Sequence, residues 1–135
     1  MNVFTEDAGR LLDSHETESM TGAYRDRKVA GGMTNDDYVR SEYFGINQVQ
    51  HLLSQPGCVG LRIHHAKRWE DADGNPTGPN KGHLIPRVLL TGVNANGKDI
   101  ASRPAAYAGL KDDGDGDVQT VGDGPLCPSQ CGGIG

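Results

Sequence analysis

From Cys58 to Lys67 the chain alternates: Val59, Leu61, Ile63 and His65 fall on one side of an extended backbone, Gly60, Arg62 and His64 on the other. That period predicts a strand with one half-buried, apolar face. Residues 84–93 are rich in Leu, Val and Ile and make the natural partner, with Pro86 pointing to an edge position or a bulge near the start of that strand. Residues 70–82 lie between the two and consist almost wholly of turn formers, including Asp73-Gly74-Asn75-Pro76, so the pair reads as a long-looped β-hairpin. Asn96-Gly97 then marks a tight turn, and a short third strand is expected at 99–102.

Helical spacing precedes the hairpin. Ile46, Val49, Leu52 and Leu53 form one stripe over residues 45–54, stopped by Gln55-Pro56-Gly57. Phe4, Ala8, Leu11, Leu12 and His15 recur at three- and four-residue intervals and predict a helix over residues 5–22. Thr5 would be its N-cap, Glu6 and Asp7 its acidic first turn, and Gly22 its end. Residues 34–37 read as the cap of a short helical turn running through Tyr38, Val39 and Tyr43. From Arg103 onward no period persists. The expected fold class is therefore α+β: N-terminal helices packed on a small antiparallel sheet built around one long-looped hairpin. A domain over residues 1–102 carries an irregular Gly/Asp-rich C-terminal arm over 103–135, extended or disordered.

Composition makes the core modest, since 35% of the residues are hydrophobic, 5% are aromatic and 20 of 135 are glycine. Such a domain sits near the low end of stability or draws support from a disulfide, a metal or a neighbouring copy. The formal charge of −5 argues against a general nucleic-acid binder. The charge is uneven, however. Arg62, His64, His65, Lys67, Arg68, Lys81, His83 and Arg87 outnumber Glu70, Asp71 and Asp73 in the hairpin, whereas residues 112–123 carry Asp112, Asp113, Asp115, Asp117 and Asp123 and no base. No apolar run approaches the ~20 residues of a membrane span. The first residues have neither a basic nor an apolar signal region, so a cytoplasmic location is the default expectation, with leaderless or specialised export open.

Four features could carry chemistry. Asp71, Asp73, Asn75 and Thr77 place oxygens at positions one, three, five and seven, as a calcium loop does, but position six is Pro76 and position twelve is Gly82. Turn chemistry explains the same residues. Cys127-Pro128-Ser129-Gln130-Cys131 can close a small disulfide loop or supply half of a zinc site, with His64 and His83 as further candidate ligands, and Cys58 would be a buried thiol. Adjacent His64 and His65 point to opposite faces of a strand, and His65, beside Ile63, is expected to be a hydrogen-bonded core histidine. Arg62, Lys67, Arg68 and Arg87 could grip a phosphate or carboxylate, or pack against the acidic tail residues Asp113, Asp115 and Asp117 of the same or another copy. No GxGxxG after a strand, GxxxxGK[ST], GxSxG or HExxH occurs, so no catalytic residue and no cofactor is assigned.

The order of a helix, Gln55-Pro56-Gly57-Cys58-Val59-Gly60-Leu61-Arg62-Ile63, a loop with Asp73-Gly74-Asn75-Pro76, Leu89-Leu90-Thr91-Gly92-Val93-Asn94-Ala95-Asn96-Gly97-Lys98-Asp99 and a terminal Cys127-Pro128-Ser129-Gln130-Cys131 resembles small uncharacterised proteins of Bacteroidota-type bacteria. These often end in a Cys-Pro-containing CxxC or CxxxC. The resemblance covers roughly residues 46–131, implies a bacterial protein and brings no activity; the loop over 66–82 is longer here. The leading expectation is a non-enzymatic structural or interaction protein, a homo-oligomer associating through an edge strand and the C-terminal arm. The alternative is a zinc- or calcium-binding module built on the cysteines and hairpin histidines or on the Asp loops.

Overall fold

The computed structural model describes residues 2–34, 37–102, 117–128 and 131. Its elements run α1 (Ser14–Ala30), β1 (Ser41–Glu42), α2 (Ile46–Leu53), β2 (Cys58–Glu70), β3 (His83–Asn94), β4 (Ala101–Ser102), β5 (Asp117–Val118), β6 (Thr120–Val121) and β7 (Leu126–Cys127). The fold is α+β and its centre is the β2–β3 hairpin. The chain divides into two compact units, Met1–Ala8 with Phe44–Asp123 and Gly9–Tyr43 with Gly124–Gly135. No helix among the described residues is long and apolar enough to cross a membrane.

In the first unit β2 and β3 pair antiparallel from Cys58↔Asn94 to Glu70↔His83, with a bulge between Cys58 and Gly60. The ladder is longer than the alternation alone predicts, because Arg68, Trp69 and Glu70 keep their partners Ile85, Leu84 and His83 although their polarity breaks the pattern. β6 joins the far side of β3 through Leu90↔Val121 and Thr91↔Thr120, giving the order β2-β3-β6. The Asn94–Gly97 turn forms as expected. The Asn94 side-chain carbonyl accepts from the amides of Asn96 and Lys98 at 2.9 and 3.1 Å, and the returning chain donates Ile100 N–H to the Gly92 carbonyl at 2.9 Å. Gly97 has φ 81°, and a side chain there would run into the Phe4 ring. A separate two-residue pair, β4 with β5, follows.

α2 seats its one buried residue, Leu52, on the hairpin. The contact depends on Gly92, because an added Cβ there would lie 2.5 Å from Gln55 Oε1 and 3.1 Å from the Leu52 carbonyl. Leu90 and Val93 complete the buried apolar set of this unit.

In the second unit α1 starts later and ends later than its apolar spacing predicts. Gly9 has φ 91°, which is not helical, and the first good cap is Asp13, whose carboxylate accepts Glu16 N–H at 2.8 Å. The helix passes through Gly22 and stops where Gly31 and Met33 donate back to Arg27 and Lys28 carbonyls. β1 and β7 pair through Ser41↔Cys127 and Glu42↔Leu126. The disulfide Cys127–Cys131 closes on that ladder, with Cys127 fully buried. Tyr38 is the other buried apolar side chain, its ring edge-on to Tyr24 at a centroid distance of 6.0 Å.

Candidate functional site

Cross-strand partners share a face, so the register sorts the hairpin into two surfaces. One carries Leu61, Ile63, His65, Lys67 and, from β3, Leu90, Val88 and Pro86; the other carries Arg62, His64, Ala66, Arg68, Glu70, Thr91, Leu89 and Arg87. Their burial reverses the expectation. The β2 half of the surface with Leu61, Ile63 and His65 is exposed, Ile63 being 61% accessible, while Leu90 on its β3 half is buried; on the other surface Arg62, His64 and Arg68 are partly covered and Glu70 is buried. His65 is therefore exposed and not a core histidine. The cause is chemical. The charged face is closed by ion pairs to the loops that cross it, while α2 reaches only the Gly92 end of the apolar face.

Glu70 is the centre of the charged face. Arg87, itself only 9% accessible, donates Nε to Oε2 at 2.7 Å and Nη2 to Oε1 at 2.9 Å, a bidentate pair, and Arg68 adds Nε to Oε2 at 3.0 Å. The Arg87 hydrogen bonds hold the Glu70 carboxyl below the usual carboxylate range against the upward push of burial. Arg68 also reaches Asp123 at 2.6 Å, which lowers the Asp123 carboxyl in turn. Basic hairpin and acidic tail therefore meet within one chain at Arg68 and Asp123. A shallow depression of about 170 Å³ lies beside this cluster, lined by Ala66, Lys67, Arg68, Arg87, Leu89 and Asp123.

At the other end of the face Arg62 donates to Asp99 at 2.6 Å and to the Gly97 carbonyl at 2.8 Å, with its guanidinium 5.8 Å from the Phe4 ring centroid. His64 Nε2 stands 3.1 Å from Thr91 Oγ1 and 3.2 Å from Asp99 Oδ2. Threonine, histidine and aspartate side by side suggest a nucleophile relay, but both contacts use the same ring nitrogen. A relay needs the base to hold the nucleophile on one nitrogen and the orienting acid on the other. This cluster fastens the Asn94–Gly97 turn to β2.

The remaining candidates separate. His64 and His83 lie in the same hairpin, but His64 pairs with Leu89 and His83 with Glu70, six rungs or about 20 Å apart along the strands. Cys127 and Cys131 have their sulfurs joined to each other, and Cys58 is a free, half-buried thiol. In the loop, Asp71 Oδ1 accepts the amides of Asp73 and Asn75, both at 2.9 Å, and Thr77 Oγ1 donates to the Lys81 carbonyl at 2.5 Å. Those oxygens serve the loop's own turns. Among the described residues no three His, Cys, Asp or Glu side chains gather as a metal site would require. Asp117 lies in β5 and is exposed, while Asp113 and Asp115 fall outside the described residues.

Glu70, Asp99 and Asp123 are the functional-looking carboxylates that motif reading passes over. Only Arg68 and Glu70, two apart on a strand, carried a local signal. Comparison with protein families, curated proteins and solved structures returned no match.

One surface has unmet bonding capacity. The Trp69 carbonyl accepts from Thr77 N–H at 2.9 Å on the side of β2 away from β3, so by alternation Leu61, Ile63, His65 and Lys67 also turn their N–H and C=O groups outward. Among the described residues no strand pairs with them. β3 is different: Gly92 bonds outward to Ile100, which places Pro86 on the outer edge by the same alternation, where its missing N–H costs no ladder bond and blunts pairing.

The small disulfide gives a direct test of the second unit. Closing a five-residue loop contributes about 2 kcal/mol in the chain-entropy model. Reduction is therefore expected to lower the thermal transition by several degrees, measured by circular dichroism with and without a dithiol; an unchanged transition would show that the β1–β7 ladder holds without it.

Proposed function

We propose that this is a non-enzymatic structural or interaction protein that assembles with copies of itself by adding an extended strand from a neighbour to the outer edge of β2. The observation that carries this reading is the outward row of backbone groups at Leu61, Ile63, His65 and Lys67, unpaired among the described residues and flanked by the exposed side chains of Leu61 and Ile63. Strand addition supplies main-chain hydrogen bonds along such an edge and takes specificity from alternate side chains. Lys67, exposed on that edge, favours an acidic incoming strand. The aspartates of residues 112–117 supply that charge in sequence, which is why the C-terminal arm of a second copy is the preferred donor.

The test is His65→Pro. The His65 amide faces outward, so proline there removes an edge donor and leaves every β2–β3 bond in place. The parent protein is expected to sediment well above 14.4 kDa, and His65→Pro to lower that mass while keeping the far-ultraviolet spectrum. A parent that stays at 14.4 kDa at all concentrations would refute the reading.

A further inference from the structure

α1 is a 17-residue helix with no buried residue, although it exposes Met20, Tyr24 and Val29. Helices of this length are marginal in water unless something covers one side. Of these three, Met20 lies on a line that also carries charges of both signs. Glu16, Met20, Ala23 and Arg27 follow one another at four, three and four residues, the spacing of a coiled-coil seam, and Asp13 and Ala30 extend it at either end. Met20 is 63% accessible.

We propose that α1 pairs antiparallel with α1 of a second copy along this seam, about a two-fold axis passing between Thr21 and Gly22. That axis sets Glu16 opposite the partner's Arg27, and Met20 opposite the partner's Ala23. Each end then forms an acid–base pair, and each centre position places a long side chain against a short one. Parallel pairing would instead set Glu16 on Glu16 and Arg27 on Arg27. An acidic N-terminus and a basic C-terminus also suit the helix's own dipole, but the dipole requires neither the seam spacing nor an exposed methionine within it. The flanks are compatible: Arg10 already holds the Glu16 carboxylate at 2.8 Å while leaving it 40% accessible, and the Tyr24–Tyr38 contact borders the seam on the side away from Ala23. The surface is independent of the β2 edge, so a chain with both has two ways to meet its copies and can extend into a polymer.

The experiment uses full-length protein carrying His65→Pro, so that edge pairing does not contribute, in sedimentation velocity over a concentration series. This protein is expected to form dimers of twice 14.4 kDa. Glu16→Arg alone and Arg27→Glu alone should each weaken the dimer at least tenfold, and an equimolar mixture of the two should restore it, because every cross-helix contact in the mixed dimer is again opposite in sign. Met20→Lys, at an exposed position where folding is not at risk, should abolish it. A monomeric His65→Pro protein, a mixture that stays monomeric, or an unaffected Met20→Lys protein would overturn the helix pairing. Loss of assembly in the unmodified chain would count against both surfaces, whereas assembly that vanishes with His65→Pro alone counts only against this one.

Discussion

Glu70→Gln is expected to lower stability by about 3 kcal/mol, because it removes one charge of a buried, bidentate ion pair and leaves the other in place. Arg87 bears the larger share of the loss: it is 9% accessible, and the change breaks its charge-assisted bidentate bonds to the Glu70 carboxylate. Arg68 suffers less, since Asp123 still holds it at 2.6 Å and it can turn toward water. For a domain of this size such a loss corresponds to a fall of roughly 10 °C in the thermal midpoint. Arg87→Met should cost a similar amount, and the double variant should cost less than the sum of the two, since it removes the pair and not half of it. A midpoint within a degree of the parent for Glu70→Gln would show that the pair adds nothing.

The same pair sets an acid limit. Because the folded state holds the Glu70 carboxyl below its ordinary value of about 4.3, its contribution is fully present above that value and disappears as pH falls through the lowered folded value. The parent's midpoint is therefore expected to drop as pH falls below the ordinary carboxylate range, and Glu70→Gln, which has no proton to take up there, should follow a flatter line. Asp123 titrates in the same direction but is 68% accessible, so solvent screening leaves it a small part.

The hairpin was legible because two kinds of local signal agree: alternation in the strands and a run of turn formers between them. Its orientation was not. The inference that the side with Leu61 and Ile63 faces inward assumes that apolar area decides burial, but here five charged side chains, Arg62, Asp99, Arg68, Glu70 and Arg87, satisfy one another on the opposite side and close it. That outcome depends on cross-strand register, which brings Arg87 beside Ala66 and within reach of Glu70, and register spans residues too far apart for any spacing rule. The first helix shows a different limit. Spacing over residues 4–15 mimics an amphipathic helix, yet capping decides where the helix starts, and Asp13 with Glu16 outcompetes Thr5 once Gly9 breaks the backbone. Phe4, read as a helix residue, instead covers Arg62. The Cys127–Cys131 disulfide was legible because four residues is a short reach for closing a small loop, and the zinc alternative needs further ligands that the strand register keeps apart.

Leu52→Ala is expected to cost about 3 kcal/mol, the middle of the range for emptying a buried leucine site. Leu52 is fully buried and is the only buried residue of α2, whose seat on the hairpin is the narrow gap left by Gly92. With so few buried apolar side chains in this unit, there is little around the cavity that could collapse to fill it. The size of this effect matches that of Glu70→Gln, but the two differ with pH. The Leu52→Ala deficit involves no titrating group and should be the same at pH 7 and in mild acid, as read from denaturant midpoints at each pH. The Glu70→Gln deficit should shrink in acid, because the parent then protonates Glu70 and loses the charge-assisted pair by itself. Parallel pH profiles for the two variants would mean that the charged face contributes only packing, and the closed ion cluster would no longer explain why the hairpin turns its apolar side outward. If the profiles diverge as expected, the ion pairs of the charged face, and not apolar packing alone, hold the hairpin in place.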